Sequence, residues 1–411
     1  MAFEEFDLNG PLVRSWLEEL GKLFPPGRTA VRDAMKTGDL STKLKDKDFH
    51  KTTTDWATKT ADPKDQEQRL EMVAVLKAMP PDDPLRTAIF QKAFNTKLES
   101  GVRRYEVVID PRTKKPRVDP RTKVELPPAE KYTKGPLDPA AMNEMADIMA
   151  QLPIAHMPKG WNLVGQDVDK NTRGSYNDDV DMAELNFSLL DTKVGFEQEY
   201  SAGGGCLPGD PLEKAKAFDL LIRHECGHKA GTKLARELTS LPFAGEWKCP
   251  GTTEAVLDEI SSVFNDFVTA VQQNGAPKAP AVREAVLENL FNAEGIADAL
   301  GIDHGRVPGD HLLVQVLEQG AKKTYQCGSS PVSVKGRMYV VGGPEGQWFS
   351  FAKAAWDKRV SLYQFATPEE WFAEFYATAN NGDAEIRKAA KQKYPDAWNW
   401  LKDKRCIVVG G

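Results

Sequence analysis

The sequence predicts an α+β protein with a mainly helical N-terminal region, and three patterns carry that prediction. Apolar residues recur at helical spacing through the first hundred positions, and short runs rich in β-branched and aromatic residues follow them. The third pattern is the run His224-Glu225-Cys226-Gly227-His228, whose chemistry requires a helix.

The elements follow in chain order. Leu12, Val13, Trp16, Leu17, Leu20, Leu23 and Phe24 share one helical face, and Pro25-Pro26-Gly27 stops that segment. Further helices are expected over 66–79 and 85–98. Residues 105–109 read as a strand. After it, Asp110-Pro111-Arg112-Thr113-Lys114 is repeated as Asp119-Pro120-Arg121-Thr122-Lys123, the turn chemistry of a hairpin with a basic rim. That rim is either a solvated pair of turns or a contact for an acidic partner. Proline then accumulates over 127–136 and sets a boundary. The expected organisation is a helical region over 1–100, a hairpin and proline-rich linker over 101–135, and a main domain over 136–411 with a long insertion at about 232–345.

Within that domain, 161–168 and 181–190 read as strands, the second with Met182, Leu185, Phe187 and Leu189 as its apolar members. Asp210-Pro211-Leu212-Glu213 has the form of a capping box with proline at the first helical position. Phe218, Leu221 and Ile222 then supply the apolar stripe of the helix bearing the His-Glu-x-x-His run, and Gly231 is its expected stop. In the insertion, 281–300 carries Val282, Val286, Leu287, Leu290 and Phe291 at core spacing.

Composition excludes several classes. With 411 residues, 41% hydrophobic content and 28% charged content, the chain can bury a large core in an ordinary soluble fold. A net charge of -6 argues against a nucleic-acid partner, which would require a basic field. No apolar run is long enough for a membrane span. Met1-Ala2-Phe3-Glu4-Glu5-Phe6 lacks the basic and apolar regions of a secretory signal, so the expected location is the producer's cytoplasm, or export by a route that needs no such signal. Five cysteines, an odd number without paired spacing, describe thiols rather than a disulfide framework.

Residues four apart on a helix share a face, so His224 and His228 can offer imidazole nitrogens to one Zn2+, with Glu225 placed to take a proton from a water at the ion. Two histidines are one ligand short of a catalytic zinc site. Glu254, four residues before Asp258, resembles the thermolysin arrangement of a third ligand. Glu370, in Thr367-Pro368-Glu369-Glu370-Trp371-Phe372-Ala373-Glu374, is the other candidate, although the same residues spell a capping box and leave both roles open. Cys206, on the glycine-rich stretch before the motif helix, is either an ordinary loop cysteine or a latency thiol able to fill the open zinc position. His304 and His311, with Asp303 and Asp310, form a second His/Asp cluster in a turn-rich stretch and read as structural.

The His-Glu-x-x-His run, together with Tyr363 and Glu370-Trp371-Phe372-Ala373-Glu374, resembles the anthrax lethal factor-like zincins of bacterial toxins and effectors. Tyr394-Pro395-Asp396-Ala397-Trp398 is a weak further echo, and the interval between His228 and Glu370 is much longer than in compact members of that family. The resemblance implies a zincin-like metallopeptidase domain of the gluzincin type, with Glu370 as third zinc ligand. Glu374 would orient a ligand histidine, and the Tyr363 phenol would lie near the oxyanion. It also implies an extended protein or peptide substrate along a strand, for which 181–190 is a candidate when it is not an ordinary core strand. The expected function is that of a zinc endopeptidase, a toxin or effector with an immunity or delivery protein as partner. A housekeeping peptidase and a non-catalytic module stabilised by zinc are the alternatives.

Overall fold

Where the chain turns from helix to strand is decided by single residues. The structure, a computed structural model, describes residues 25–106, 109, 115–118, 129–135, 137–164, 174–186, 215–289, 292–322, 332–342, 346–361 and 363–407. The chain divides into two units, 1–190 and 191–411.

The first unit opens with α1 (Pro26–Thr37), α2 (Leu40–Lys43), α3 (Lys47–Asp55), α4 (Gln66–Ala78) and α5 (Leu85–Phe94). Pro25-Pro26-Gly27 begins a helix instead of merely closing one, because Pro26 occupies the first turn, where no amide hydrogen is needed. The segment it was expected to stop lies outside the described residues. Asp46 and Asp65 cap α3 and α4 by accepting from the amides two and three positions on. The helix expected over 85–98 ends at Phe94, since Asn95 turns left-handed (φ 49°) and Lys97 enters the sheet. Val31, Met72, Leu76, Phe90 and Phe94 are fully buried in this unit's core.

The sheet consists of β1 (Lys97–Glu106), β2 (Ala129–Lys134), β3 (Gly160–Val164), β4 (Gly174–Asn177) and β5 (Met182–Asn186), with α6 (Pro139–Met149) between β2 and β3. Its order is β2-β1-β3-β5-β4, parallel along β1-β3-β5 and antiparallel at both edges. This pairing places β1 and β2 in the same sheet as β3, so the boundary read at 101–135 falls inside one unit and the division comes instead at residue 190. The repeated turn sequences around Asp110 and Asp119 lie almost entirely outside the described residues. Along β5 the alternation buries Ala183 and Leu185, while Phe187 and Leu189 are not among the described residues. β5 is hydrogen-bonded on both sides, to β3 and to β4. It therefore has no free edge for an extended substrate and is a core strand.

The second unit contains α7 (Ala217–Gly231), α8 (Ala235–Leu238), β6 (Lys248–Gly251), α9 (Thr253–Glu259), α10 (Ser261–Gln273), α11 (Ala279–Glu288), α12 (Ala293–Leu300) and α13 (Leu312–Ala321). It continues with β7 (Arg337–Gly342), β8 (Gln347–Ala352), α14 (Lys353–Trp356), α15 (Pro368–Ala379), α16 (Ala384–Lys393) and α17 (Pro395–Asp403). The stretch read as one amphipathic segment over 281–300 is two helices, and Asn292 caps the second by accepting from the amides of Glu294 and Gly295. The insertion is integrated into the unit. Its helices bury Phe267, Val271, Val286 and Leu313 around a core that includes Trp348, and its strands β6 and β7 flank β8. The unit is thus α+β as well. Among the described residues, no helix is long and apolar enough to cross a membrane.

Candidate metal centre

Two helices build the centre, and two glycines let them meet. α7 carries His224, Glu225 and His228, and α15 carries Glu370 and Glu374. A Cβ on Gly227 would stand 2.9 Å from Cα of Ala373, and one on Gly231 would stand 2.5 Å from Cδ1 of Phe372. Gly231 is therefore a packing contact as well as the last residue of α7, with Thr232 taking the capping position. A glycine inside a helix costs about 1 kcal/mol relative to alanine. Here that cost is offset by close approach of the helix carrying the carboxylates. Gly227→Val should destabilise the fold by at least about 2 kcal/mol through overpacking against backbone. Urea unfolding checks this, and an unchanged midpoint would mean that the helices can part freely. The capping box read at Asp210 and the thiol Cys206 lie outside the described residues, and Lys216 at the helix start makes no side-chain cap.

Three ligand atoms converge on one point. Nε2 of His224 lies 3.0 Å from Nε2 of His228, and Oε2 of Glu370 lies 3.1 Å from the first and 3.4 Å from the second. Ligand atoms about 2.0–2.1 Å from a tetrahedral zinc stand roughly 3.3–3.4 Å apart, so this triangle has the size of one face of such a site. The donor set of two imidazoles and one carboxylate also suits zinc. Nδ1 of His224 lies 2.8 Å from Oε1 of Glu374, which turns Nε2 toward the triangle. Among the described residues, His224, His228 and Glu370 are the one group of three whose ligand atoms come together.

Glu370 takes part in the helix start and in the triangle at once. The amide of Glu370 donates to Oγ1 of Thr367 at 3.2 Å, which starts α15, while its carboxylate reaches the histidines. Glu254 lies outside the group. It sits exposed on α9, where Thr252 caps the helix and Arg283 bonds both the Glu254 carbonyl and the Asp258 carboxylate. His304 pairs with Asp298 at 2.7 Å, and His311 accepts from the Leu313 amide at the start of α13, so both serve local structure.

Glu225 is 2% exposed, and its buried Oε2 has no hydrogen-bond partner among the described residues. Burial raises its pKa, against the pull of His224 and His228. His224 is raised well above its ordinary value because the bonds and charges of Glu370 and Glu374 outweigh the cost of burial. Glu370 is lowered, since burial is outweighed by His228 and His224. Tyr363 lies beside the triangle, its hydroxyl donating to Oε1 of Glu370 at 3.1 Å.

These shifts give a pH dependence. A raised His224 still holds its proton near neutrality, and a metal ion must displace it, so zinc affinity should climb about tenfold per pH unit until that raised pKa is passed. Competition against a chromophoric chelator between about pH 6 and pH 8 measures the slope, and a flat profile would refute it.

Sequence reading missed Gly227 as a contact, although an interior helical glycine four residues from another is a legible signal of close packing. It also missed the clamp in which Asp219 accepts from buried Arg223 at 2.9 Å and from Asn381 at 2.9 Å, tying α7 to the chain beyond α15. No family model, curated protein or solved structure matches the chain.

Proposed function

We propose that the chain is a zinc-dependent endopeptidase with a zincin-like, gluzincin-type site, acting as a bacterial toxin or secreted effector on a protein substrate. The observation that carries this reading is the triangle of His224, His228 and Glu370, with Glu225 buried on the helix of the two histidines and its Oε2 without a hydrogen-bond partner among the described residues. A structural zinc site would be closed by a fourth protein ligand and would have no use for that carboxylate. The toxin setting rests on the sequence resemblance alone.

His224, His228 and Glu370 would hold the zinc. When bound, zinc supplies Lewis-acid polarisation of a carbonyl and acidifies water. Glu225 accepts the proton of the attacking water and returns it to the leaving amine, a task suited to a buried carboxylate of raised pKa. Glu374 keeps His224 oriented and basic. The Tyr363 phenol stands at the rim, where it reaches an oxyanion only by giving up its bond to Oε1 of Glu370.

Elemental analysis of the purified chain, followed by exposure of the zinc-loaded protein to a mixed peptide library, tests this reading. One zinc per chain with cleavage products supports it. A folded chain that takes up no zinc, or a loaded chain that cuts nothing, removes it.

A further inference from the structure

We propose that Tyr363 is a positioning residue that restricts Glu370 to ligation through one oxygen. This rests on the metal-centre reading above. The two oxygens of a carboxylate are chemically equivalent, and rotation about the terminal torsion of a glutamate is broad, so the backbone of Glu370 alone does not select one. In this structure they are sorted. Oε1 accepts from the Tyr363 hydroxyl at 3.1 Å, and Oε2 faces both imidazoles at 3.1 Å and 3.4 Å. A phenol makes that bond without bringing a charge, so the full negative charge of Glu370 stays available to the ion.

The donor is held as firmly as the acceptor. Tyr363 begins a short 3-10 turn, Tyr363–Phe365, whose next residue, Gln364, is fully buried. The Gln364 side chain accepts from the Val360 amide at 2.7 Å, and its own amide donates to Oγ of Ser361 at 3.1 Å. Phe365 is stacked on Trp247 at 5.7 Å and packed against Phe351 at 4.6 Å. On the other side, Thr367 fixes the amide of Glu370. Buried polar bonds and aromatic packing thus set both ends of the Tyr363-Glu370 bond.

Tyr363→Phe keeps the ring and removes only the donor. Zinc affinity, measured by competition with a chelator, should fall about 10- to 100-fold, the usual effect of removing a partner of a metal ligand. In the cobalt-substituted protein, Oε1 becomes free to bind, the coordination number rises, and the visible absorption should weaken. The thermal midpoint of the metal-free variant checks that the fold is intact. In a Glu370→Ala background the same substitution should have no further effect on affinity, because Tyr363 acts through Glu370. Wild-type affinity and an unchanged cobalt spectrum in Tyr363→Phe would overturn the proposal and leave the metal centre standing. An equal loss in both backgrounds would also overturn it. A wild-type chain that binds no metal would remove both the proposal and the centre.

Discussion

Glu370→Ala loses its zinc at concentrations that saturate the wild type, whereas Glu254→Ala does not. Four-ligand structural zinc sites release about 10–16 kcal/mol on binding at neutral pH, so loss of a single protein ligand is expected to cost about 3 kcal/mol, roughly a hundred- to a thousandfold in affinity. The position matters as much as the count. Oε2 of Glu370 is the corner of the triangle opposite the histidine pair, and no other described carboxylate stands there to replace it. Glu374 is engaged with Nδ1 of His224, on the far side of the ring. Glu254 is exposed on α9, so its truncation should change stability by less than about 0.5 kcal/mol. Metal content after dialysis, with circular dichroism to confirm folding, decides between the two glutamates, and equal retention in both variants would contradict the site.

Glu225→Gln retains zinc and loses turnover by roughly a hundred- to ten-thousandfold, the contribution of a positioned general base. The amide has the shape of the carboxylate but cannot accept the proton. A second consequence separates a base from a structural carboxylate. The pKa of Glu225 is raised in the folded chain, so its contribution to stability is present below the unfolded value and is lost as pH rises through the folded one. Ionising Glu225 therefore weakens the fold, and Glu225→Gln, which cannot ionise, should unfold at the same or a higher temperature than the wild type. A variant that is active, or inactive because it melts early, would count against the role. In cells, a toxin predicts that the wild type impairs growth and the glutamine variant does not, while a housekeeping peptidase predicts that both are harmless.

Much of the centre was legible because its chemistry is local. Spacing places His224 and His228 on one helical face and Glu370 and Glu374 on another, and both helices form over those residues. The α4 helix is equally local, since Asp65 caps it and its apolar positions recur. Other expectations depended on partners that the sequence does not name. The helix over 85–98 was cut short by pairing of β1 with β3, and the strand at 181–190 lost its candidate role because β4 covers its outer edge. The domain boundary moved for the same reason, since strands on either side of a proline-rich stretch joined one sheet.

From the sequence alone came the α+β class, the helix carrying His224, Glu225 and His228, and a choice of two glutamates as the candidate third ligand. Both glutamates follow a good local pattern, and local pattern cannot rank them. Only the folded chain brings Glu370 within 3.1 Å of His224 and leaves Glu254 on the surface. The reason is steric: two glycines on one face of α7 have no Cβ to hold α15 away, so residues far apart in sequence meet at the spacing of a single ion.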